Sequence, residues 1–498
     1  MTTAPPPISG AGPAAPLAPL ARTAHGTVRG TYERGAAVFR GIPYAAPPVG
    51  AHRFRAPAPP EPWEGVRDAA RFGPTAPKRP YAPPLDRLLP DPEVAGEDCL
   101  NLNVWTPHPA RTGLPVLVWI HGGSLLHGSS AVPLYDGAAF ARDGVVCVTV
   151  NYRLGMEGFG VFPDAPANRG LLDQLAALGW VRDNIAAFGG DPDRVTVCGE
   201  SAGAISIAAL LATDRARGLV RRAVLQSGAP SAVPLAAGRR TTELIAKRLG
   251  VAATARDLAA VDPAALLAAQ TEVTAGGSPL TGGNSFQVVV DGELLVRDPA
   301  EALRDGSASG VDLLLGSNTE EYRLWFVPSG LTERLSRTRL RLALWKFRVP
   351  GATARTYRAN RPGATPGELL GALATDLLLR VPLNRLADSR KDAAGSTHFY
   401  EFGWPSPVLR LGACHGLEIG FVFDNLAGPD AVALAGEDAP QDLADAMHAA
   451  WVRFAETGDP GWPAWDASRP VMRFGPGAPQ VVRAPREDER RGWAPYSP

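Results

Sequence analysis

Ser201 has the neighbours that a nucleophilic serine needs. The segment Gly199–Gly203 reads Gly-Glu-Ser-Ala-Gly and lies between the apolar run Val195–Cys198 and the helix-forming stretch Ile205–Leu211. The glycines allow a sharp turn and a close backbone approach, which would hold the serine hydroxyl at the end of a strand. Because a Gly-x-Ser-x-Gly match also arises by chance, the prediction of a nucleophile depends on the flanking strand and helix.

A second glycine-rich turn, upstream, could stabilise negative charge. Trp119–Ser124 reads Trp-Ile-His-Gly-Gly-Ser and follows an apolar run. When a serine attacks a carbonyl carbon, negative charge develops on the carbonyl oxygen, and each fixed N–H group that binds it contributes about 3–4 kcal/mol. The candidate donors are the backbone N–H groups of Gly123, Ser124 and Ala202; the alternative is a plain glycine-rich turn.

A serine nucleophile also needs a base, which a late histidine could supply. His398 falls within the predicted strand Thr397–Phe402 and His448 on a predicted helix. His415 lies in the loop Leu411–Gly416, a position that suits a loop-borne base. In proteins with this kind of serine turn, the acid and then the histidine follow the serine in the chain, which favours His415.

The acid that orients the histidine is left open between two glutamates. Glu320 and Glu321 follow the apolar run Val311–Leu315, just past the end of a predicted strand. A carboxylate in this place faces the same sheet edge as Ser201. Neighbouring residues of an extended segment point in opposite directions, so only one of the two can face the site.

These groups need a scaffold that joins distant parts of the chain. Apolar runs alternate with helical patterns, which predicts βαβ units and a largely parallel sheet. The main predicted strands are Ala36–Arg40, Leu100–Trp105, Leu114–Ile120, Val145–Val150, Val195–Cys198, Ala223–Gln226, Val311–Leu315 and Thr397–Phe402. Predicted helices include Leu171–Asn184 and Leu443–Glu456. Two helix-rich blocks, at about 234–304 and 331–387, are expected to cover the sheet edge where ligands bind; the Arg-rich faces of the second are interpreted as solvated.

Composition excludes several classes of protein. The 498 residues are 45% hydrophobic and 20% charged, with 50 basic and 50 acidic side chains, as in an ordinary globular protein. This balance predicts neither a nucleic-acid partner nor a membrane partner. Residues 1–21 hold no Lys or Arg and are interrupted by prolines, so we expect a disordered Ala/Pro-rich tail rather than a secretory signal. A single catalytic domain over 22–498 and a cytoplasmic location follow as expectations.

The four cysteines match no zinc pattern and no dense disulfide framework. Cys147 and Cys198 fall within predicted buried strands, where a thiol serves as a small apolar side chain. We expect reduced thiols, and no metal ion or organic cofactor is required by the chemistry outlined above.

The chain resembles the type-B carboxylesterases, the family of bacterial para-nitrobenzyl esterases, mammalian carboxylesterases and cholinesterases. The resemblance runs from about position 23 to about position 475 and is closest to the bacterial members. It implies an α/β-hydrolase fold, with a largely parallel central sheet flanked by helices and helical insertions over the active-site edge. The matching stretches are Phe39–Ala45, Glu97–Val104, Asn151–Gly155, Asn168–Gln174, Phe188–Gly203 and Leu225–Gly228.

The resemblance also implies a role for each position that matches a family motif. The nucleophile is Ser201, the acid is Glu321 and the base is His415, within His-Gly-Leu-Glu. The implied oxyanion donors are Gly123, Ser124 and Ala202, and the implied supporting residues are Glu200 and Ser227.

Three positions depart from the family pattern. Ser124 stands where a third glycine is commoner, which a backbone donor tolerates. Tyr322 replaces the usual glycine after the acid and is expected either to constrict the pocket or to shift Glu321. Cys99 matches a cysteine that is disulfide-bonded in secreted relatives, but no cysteine precedes it here.

The resulting expectation is a serine carboxylic-ester hydrolase that forms an acyl-enzyme with small to medium apolar esters. A carbamate or aryl-amide hydrolase with the same triad is the alternative, and a non-catalytic binding member of the family is a more remote one. The chain is expected to be a monomer or a small homo-oligomer. The candidate walls of an apolar acyl or alcohol pocket, each also compatible with ordinary core, are Leu125, Leu126, Leu324, Trp325 and Phe326.

Overall fold

The structure is a computed structural model that describes residues 18–277 and 283–494. Within these residues the chain forms sixteen strands. The strands are β1 (Leu20–Thr23), β2 (Gly26–Arg29), β3 (Thr31–Glu33), β4 (Ala36–Pro43), β5 (Val66–Asp68), β6 (Asn101–Thr106), β7 (Leu114–Ile120), β8 (Val146–Val150), β9 (Gly190–Glu200), β10 (Arg222–Gln226), β11 (Val233–Pro234), β12 (Val289–Val290), β13 (Asp312–Asn318), β14 (Thr397–Phe402), β15 (Pro470–Phe474) and β16 (Gln480–Arg483).

Eleven of these strands form one central sheet, in the order β16-β15-β14-β13-β10-β9-β7-β8-β6-β4-β3. The seven strands from β15 to β8 run parallel to one another, whereas β6, β4, β3 and β16 pair antiparallel with their neighbours. Parallel strands covered on both faces are apolar throughout, which is why β7 and β8 could be recognised as continuous hydrophobic runs. The predicted sheet is confirmed.

Helices cover both faces of this sheet. They are α1 (Ala138–Arg142), α2 (Gly155–Phe159), α3 (Arg169–Asn184), α4 (Ala202–Leu211), α5 (Leu235–Leu249), α6 (Ala255–Ala259), α7 (Pro263–Thr274), α8 (Pro299–Arg304), α9 (Arg323–Phe326), α10 (Leu331–Arg334), α11 (Arg337–Lys346), α12 (Gly351–Asn360), α13 (Pro366–Thr375), α14 (Val381–Ser389), α15 (Ile419–Val422), α16 (Pro429–Ala435), α17 (Gln441–Thr457) and α18 (Glu487–Gly492). A turn of π-helix, Asp376–Arg380, joins α13 to α14.

The alternation of side chains along β7 divides the core into two layers. Val116, Val118 and Ile120 face one layer, which also contains side chains of α3 and α4. Leu117 and Trp119 face the other, which contains side chains of α17. Period-two alternation with both faces apolar is the signature of a strand inside a three-layer α/β protein.

The predicted and observed elements differ mainly at the ends of the chain. β7 and β14 have the predicted bounds, and helices occupy most of the two predicted helix-rich blocks. β1 begins at Leu20, two residues inside the expected tail, because Leu20–Thr23 pairs with Gly26–Arg29 across a tight turn. The rest of that tail, residues 1–17, lies outside the described residues.

The four cysteines are buried and unpaired, in agreement with the prediction of free thiols. Cys147 lies in β8 and Cys198 in β9, as expected. No helix in the described ranges is long and apolar enough to span a bilayer.

Strand register brings the predicted site residues to one edge of the sheet. Glu200, at the end of β9, pairs with Gln226 of β10, and Gln226 pairs with Gly316 of β13. The loops that follow these three strands therefore begin side by side at their carboxyl ends, where ligands bind in open α/β sheets.

Candidate active site

Ser201 occupies a strained turn between β9 and α4. Its backbone angles are φ 56° and ψ −122°, outside the regions that a serine ordinarily adopts. Its N–H donates to the carbonyl of Gln226 at 2.9 Å, which fixes the turn on β10. A Cβ at Gly203 would lie 2.1 Å from the carbonyl oxygen of Ile120, so only glycine allows α4 to start this close to β7.

His415 and Glu321 form a closely coupled pair beside this turn. Nδ1 of the imidazole lies 2.6 Å from Oε2 of Glu321, and the Glu321 side chain is fully buried. The other carboxylate oxygen of Glu321 accepts the backbone N–H of Asn318 at 2.7 Å. These two contacts fix the carboxylate and, through it, the orientation and tautomer of the imidazole.

Glu320 points away from the imidazole, although residues 319–322 form a turn rather than the extended segment that was expected. Its carboxylate lies 3.3 Å from the Arg323 guanidinium and accepts the backbone N–H of Ala413 at 3.2 Å. Of the two glutamates, only Glu321 contacts the imidazole of His415.

A second carboxylate lies on the other side of the imidazole. Oε1 of Glu200 is 2.9 Å from Nε2 of His415, but the contact is not aligned as a hydrogen bond, and this oxygen has no hydrogen-bond partner among the described residues. Burial by itself would lower the pKa of His415. The negative charges of Glu200 and Glu321 outweigh that effect and raise the pKa well above its usual value.

The other two late histidines have structural partners elsewhere. Nδ1 of His398 lies 3.0 Å from the carbonyl of Trp462, and Nδ1 of His448 lies 2.7 Å from the carbonyl of Val422. Neither side chain lines the cavity that holds Ser201.

The predicted oxyanion donors surround the start of the serine turn. Gly123 has φ +105°, and a Cβ there would lie 2.2 Å from the carbonyl oxygen of His127. In the described part of the chain, no acceptor bonds to the backbone N–H of Gly123, Ser124 or Ala202. Ala202 is also the first residue of α4, whose helix dipole favours negative charge at this end.

Two aromatic side chains hold this glycine turn in place. The rings of His121 and Tyr152 stack with centroids 4.5 Å apart, and the Tyr152 hydroxyl donates to the carbonyl of His121 at 2.7 Å. Both side chains are buried. The turn is therefore anchored from beneath, which preorganises its free N–H groups.

A cavity opens above these groups, with about 760 Å³ of space including its mouth. Ser201, His415, Glu200, Gly123 and Ser124 line it, together with the predicted wall residues Leu324 and Trp325. The Trp325 ring packs on the imidazole of His415 with centroids 4.8 Å apart.

Three predicted wall residues lie outside this lining. Leu125 and Leu126 pack against the core layer that contains α3 and α4, and Phe326 is buried against Tyr322. Proximity in sequence to the triad segments suggested them, but the turn of α9 directs Phe326 away from the cavity. The apolar walls that sequence reasoning missed are Tyr81, Leu88, Leu89, Pro90, Val132, Leu134, Tyr135, Ile419 and Leu434.

Tyr322 neither blocks the cavity nor displaces the acid, contrary to expectation. Its ring is buried edge-to-face against Phe326, with centroids 5.5 Å apart, and lies over Gly371 of α13. Glu321 keeps its 2.6 Å contact with the imidazole. The absence of a side chain at position 371 provides the space for a tyrosine at position 322.

A third buried carboxylate, Glu418, supports the acid from behind. It accepts hydrogen bonds from Gln226 Nε2 at 3.1 Å and from Asn318 Nδ2 at 2.6 Å. Burial, reinforced by the charges of Glu200 and Glu321, raises its pKa to about 8. Its place three residues after His415 was visible in the sequence, but no local pattern indicated its contacts.

Ser227 lies at the end of β10, behind the nucleophile. Its N–H donates to the carbonyl of Gly316 at 2.9 Å, and its buried hydroxyl has no partner within the described ranges. It does not line the cavity. Over the same residues, no cluster of His, Cys, Asp and Glu could hold a metal ion.

The comparisons with known proteins agree with this geometry. A family model described as the carboxylesterase family matches residues 18–489. The chain is 39% identical to the para-nitrobenzyl esterase of Bacillus subtilis over 462 residues, 90% of this chain and 92% of that protein. It is 37% identical to the phenmedipham hydrolase of Pseudarthrobacter oxydans, with 93% and 97% covered. A solved carboxylesterase of Geobacillus stearothermophilus, 37% identical, superposes with a TM-score of 0.86 over 95% of this chain and 99% of that one.

A family model that spans almost the whole chain and a shared α/β-hydrolase fold lead to one conclusion: the chain belongs to the carboxylesterase family and is a carboxylic ester hydrolase.

Proposed function

We propose that the protein hydrolyses small to medium apolar carboxylic esters through a Ser201–His415–Glu321 triad and a covalent acyl-enzyme. The observation that carries this proposal is the imidazole of His415, held by Glu321 at Nδ1 while its ring lines the same cavity as Ser201. A serine hydroxyl is a weak nucleophile until a base takes its proton, and the carboxylate fixes that base in the useful tautomer.

In the first half of the reaction, Nε2 of His415 takes the hydroxyl proton as the oxygen of Ser201 attacks the ester carbonyl. The N–H groups of Gly123, Ser124 and Ala202 bind the resulting oxyanion. The imidazolium then returns its proton to the departing alkoxide, which leaves as the alcohol, and the acyl group stays on Ser201. Water repeats these steps against the acyl-enzyme, releasing the carboxylic acid and regenerating the serine.

The lining of the cavity supports apolar substrates. Leucine, valine, isoleucine, proline and aromatic side chains supply most of its wall, and the charged or hydroxyl-bearing side chains include Glu200, Ser201, His415 and Asp430. A predominantly apolar pocket with a few convergent polar groups is typical of a small-molecule site. The carbamate or aryl-amide alternative uses the same triad, and the relative named phenmedipham hydrolase is the comparison that bears on it.

The experiment is the release of para-nitrophenol from acetate, butyrate and octanoate esters by the wild type and by Ser201→Ala. We expect turnover by the wild type and a loss of at least about 10⁴-fold in kcat for the variant, with an unchanged circular dichroism spectrum. Labelling of the wild type, and not of the variant, by a fluorophosphonate would tie the loss to the serine oxygen. Retained turnover in Ser201→Ala overturns the assignment of the nucleophile.

Matched substrates separate the alternatives. An ester, a carbamate and an anilide with the same acyl group should give the largest kcat/KM for the ester. A larger value for the carbamate or the anilide would favour that substrate class with the same triad. A wild type that neither turns over any of them nor reacts with the fluorophosphonate would indicate a binding protein.

A further inference from the structure

The positive charge of this chain is concentrated in one segment. Lys and Arg equal Asp and Glu over the whole sequence, at 50 each, but residues 331–365 hold nine basic residues and a single acidic one, Glu333. The zero net charge of the chain therefore hides a strongly cationic surface region. The segment includes α10, α11 and α12, which belong to the second helix-rich block.

Among the residues that the structure describes, most of these cations have no carboxylate partner. Arg361 pairs with Glu489, but no carboxylate in the described part of the chain lies within ion-pair distance of the other basic side chains of α11 and α12 or of the turn between them. These residues are exposed: Arg337, Arg339, Arg341, Lys346, Arg348, Arg355 and Arg358. Elsewhere in the described ranges, arginines commonly pair with Asp or Glu at the surface. The exposed basic side chains of this segment are therefore free to bind an anionic partner outside the chain.

The exposed side of α11 also carries large apolar side chains. Trp345 is 78% exposed and Leu342 is 62% exposed, and Phe347 follows just after the helix at 38%. Single exposed apolar residues are ordinary, but a tryptophan and a leucine three residues apart share one helix face. Leu340, in contrast, is buried against the protein.

The order of residues around α11 gives this face a defined pattern. With 100° of rotation per residue, Trp345, Thr338 and Leu342 form a central stripe opposite the buried Leu340. Basic side chains stand on both sides of the stripe, Arg337 and Arg341 along one flank and Arg339 and Lys346 along the other. Two large apolar side chains between two rows of cations can enter a membrane interface while the cations stay at the headgroups.

We propose that this face of α11, formed by Arg337, Arg339, Arg341, Leu342, Trp345 and Lys346, docks on the surface of an anionic lipid bilayer. The cations would meet the phosphate groups, while the indole of Trp345 and the side chain of Leu342 enter the boundary between headgroups and acyl chains. Clusters of four to eight basic residues on an amphipathic helix are the sequence feature of proteins that recognise anionic lipid headgroups.

Charge and polarity argue against other occupants. In a symmetric pairing of two copies, the same cationic face would meet itself, and like charges would repel. Nucleic acid would use the cations but would leave the central Leu342 stripe without an apolar partner. A lipid interface is the surface that satisfies both features at once.

The position of α11 makes this surface relevant to apolar substrates. α11 packs on α13, which in turn contacts α9, the helix that carries the cavity residues Leu324 and Trp325. The docking face is therefore connected to the cavity wall through α13 and α9. The inference rests on charge and exposure and does not depend on the assignment of the triad.

The experiment is co-sedimentation of the full chain with vesicles of phosphatidylcholine alone and of phosphatidylcholine mixed with phosphatidylglycerol. We expect binding to the mixed vesicles at low ionic strength, weak binding to the neutral ones, and release by added salt, because surface electrostatics are screened within about 10 Å at 0.1 M salt. Equal binding to both kinds of vesicle, or binding to neither, overturns the proposal.

Two variants and a charge-matched control identify the face. Arg337→Glu with Arg341→Glu should weaken binding to the mixed vesicles by about tenfold or more, and Trp345→Ser should weaken it with the charge unchanged. The control, Arg240→Glu with Lys247→Glu, makes the same charge change on exposed positions of α5 and should bind more tightly than the α11 pair. All variants should hydrolyse para-nitrophenyl acetate at the wild-type rate, which reports intact folding.

The remaining outcomes point to other occupants and overturn the proposal. Equal losses in the α11 and α5 pairs would indicate a general charge effect. A wild type that self-associates in sedimentation velocity, with Trp345→Ser as a monomer, would show that the face binds a second copy. Retention of a duplex oligonucleotide by a wild type that fails to bind mixed vesicles would identify a nucleic-acid surface.

Discussion

At the scale of single residues, the two neighbouring glutamates provide a matched test of the acid. Glu321→Gln should lower kcat by about 10³–10⁴-fold, since an amide in place of the carboxylate stabilises the wrong tautomer of His415. Glu320→Gln makes the same chemical change one position away, on a side chain that faces Arg323. It should keep activity within about tenfold of the wild type, and a larger loss from Glu320→Gln than from Glu321→Gln would transfer the role to Glu320.

A second prediction at the scale of residues concerns the pH dependence of activity, which depends on the carboxylate of Glu200. His415 acts as a base only when neutral, and its pKa is raised well above the usual value near 6.5. The rising limb of kcat/KM against pH should therefore lie above pH 6.5 in the wild type, with activity lost as the pH falls and the imidazole becomes charged.

Glu200→Gln removes a negative charge 2.9 Å from Nε2, so the imidazolium loses stabilisation and its pKa falls. The rising limb should move to lower pH by about one unit or more, measured as kcat/KM for para-nitrophenyl butyrate. Glu320→Gln is the control, because it removes an equal charge from a side chain that makes no contact with the imidazole. A limb that stays in place in Glu200→Gln would contradict the electrostatic origin of the shift.

The sequence could predict those site residues whose role depends on their immediate neighbours in the chain. The glycines around Ser201 and the loop position of His415 are local patterns of this kind, and the structure brings both side chains to one cavity. Glu418 is not predictable in this way, because its role comes from hydrogen bonds with Gln226 and Asn318, which belong to two other strands. The contact between Glu321 and the imidazole is also a three-dimensional feature. In the sequence, only the position of Glu321 in a family motif distinguished it from Glu320.

At the scale of elements, a loop with little secondary structure contributes much of the cavity wall. Between Lys78 and Asp91 the chain forms only a single turn of 3₁₀-helix, yet Tyr81 and Leu88–Pro90 line the cavity. The buried ammonium of Lys78 binds the carboxylate of Asp91 and the carbonyl of Pro92. The ion pair therefore holds the two ends of the loop together.

The same ion pair connects the loop to the glycine-rich turn. The carboxylate of Asp91 accepts the backbone N–H of Gly128 at 3.2 Å, where the turn that began at Gly123 ends. Burial lowers the pKa of Lys78, which the charge of Asp91 opposes. A buried pair of this kind is costly to break, since either partner alone is a buried charge without compensation.

Lys78→Met should therefore loosen the loop and raise KM for para-nitrophenyl octanoate by about tenfold, with a smaller rise for the acetate, whose short acyl group needs less of the wall. Steady-state kinetics on the two esters measure the difference. Lys78→Met with Asp91→Leu, which removes both charges, should recover part of the loss. Lys247→Met, on the exposed side of α5, is the control and should leave both KM values unchanged. Equal rises for both esters would contradict a role in the wall.

The elements that sequence could predict are those with a simple hydrophobic period. The central strands are buried on both faces and read as apolar runs, which is why β7 and β14 have the predicted bounds. The hairpin β15–β16 was missed because β16 is mostly exposed and short, so it has no apolar run. The loop from Lys78 to Asp91 has no period at all, and its contribution to the cavity could not be foreseen.

At the scale of the whole molecule, the fold depends on buried charges as well as on its two apolar layers. Arg153 and Asp173 are buried together: the guanidinium donates to the carboxylate at 2.8 and 2.6 Å, and the backbone N–H of Arg153 donates to it at 3.0 Å. The guanidinium also donates to the carbonyl of Arg55 at 2.7 Å. Arg153 thus joins three segments: the loop at Arg55, its own loop after β8, and helix α3 through Asp173.

Asp173→Asn should destabilise the protein by about 3–5 kcal/mol, because it leaves the guanidinium of Arg153 buried without a countercharge. Thermal denaturation followed by circular dichroism should show a lower midpoint, by several degrees. The control, Asp183→Asn, removes a carboxylate that pairs with Arg182 at the exposed end of the same helix and should shift the midpoint very little. Arg153→Met with Asp173→Leu removes both charges and should recover much of the stability, because the cost comes from an unpaired buried ion rather than from the lost pair itself. If the double variant is as unstable as Asp173→Asn, the stability comes instead from the hydrogen bond that Arg153 donates to the backbone carbonyl of Arg55. Hydrogen bonding, rather than compensation of the buried charge, would then hold the three segments together.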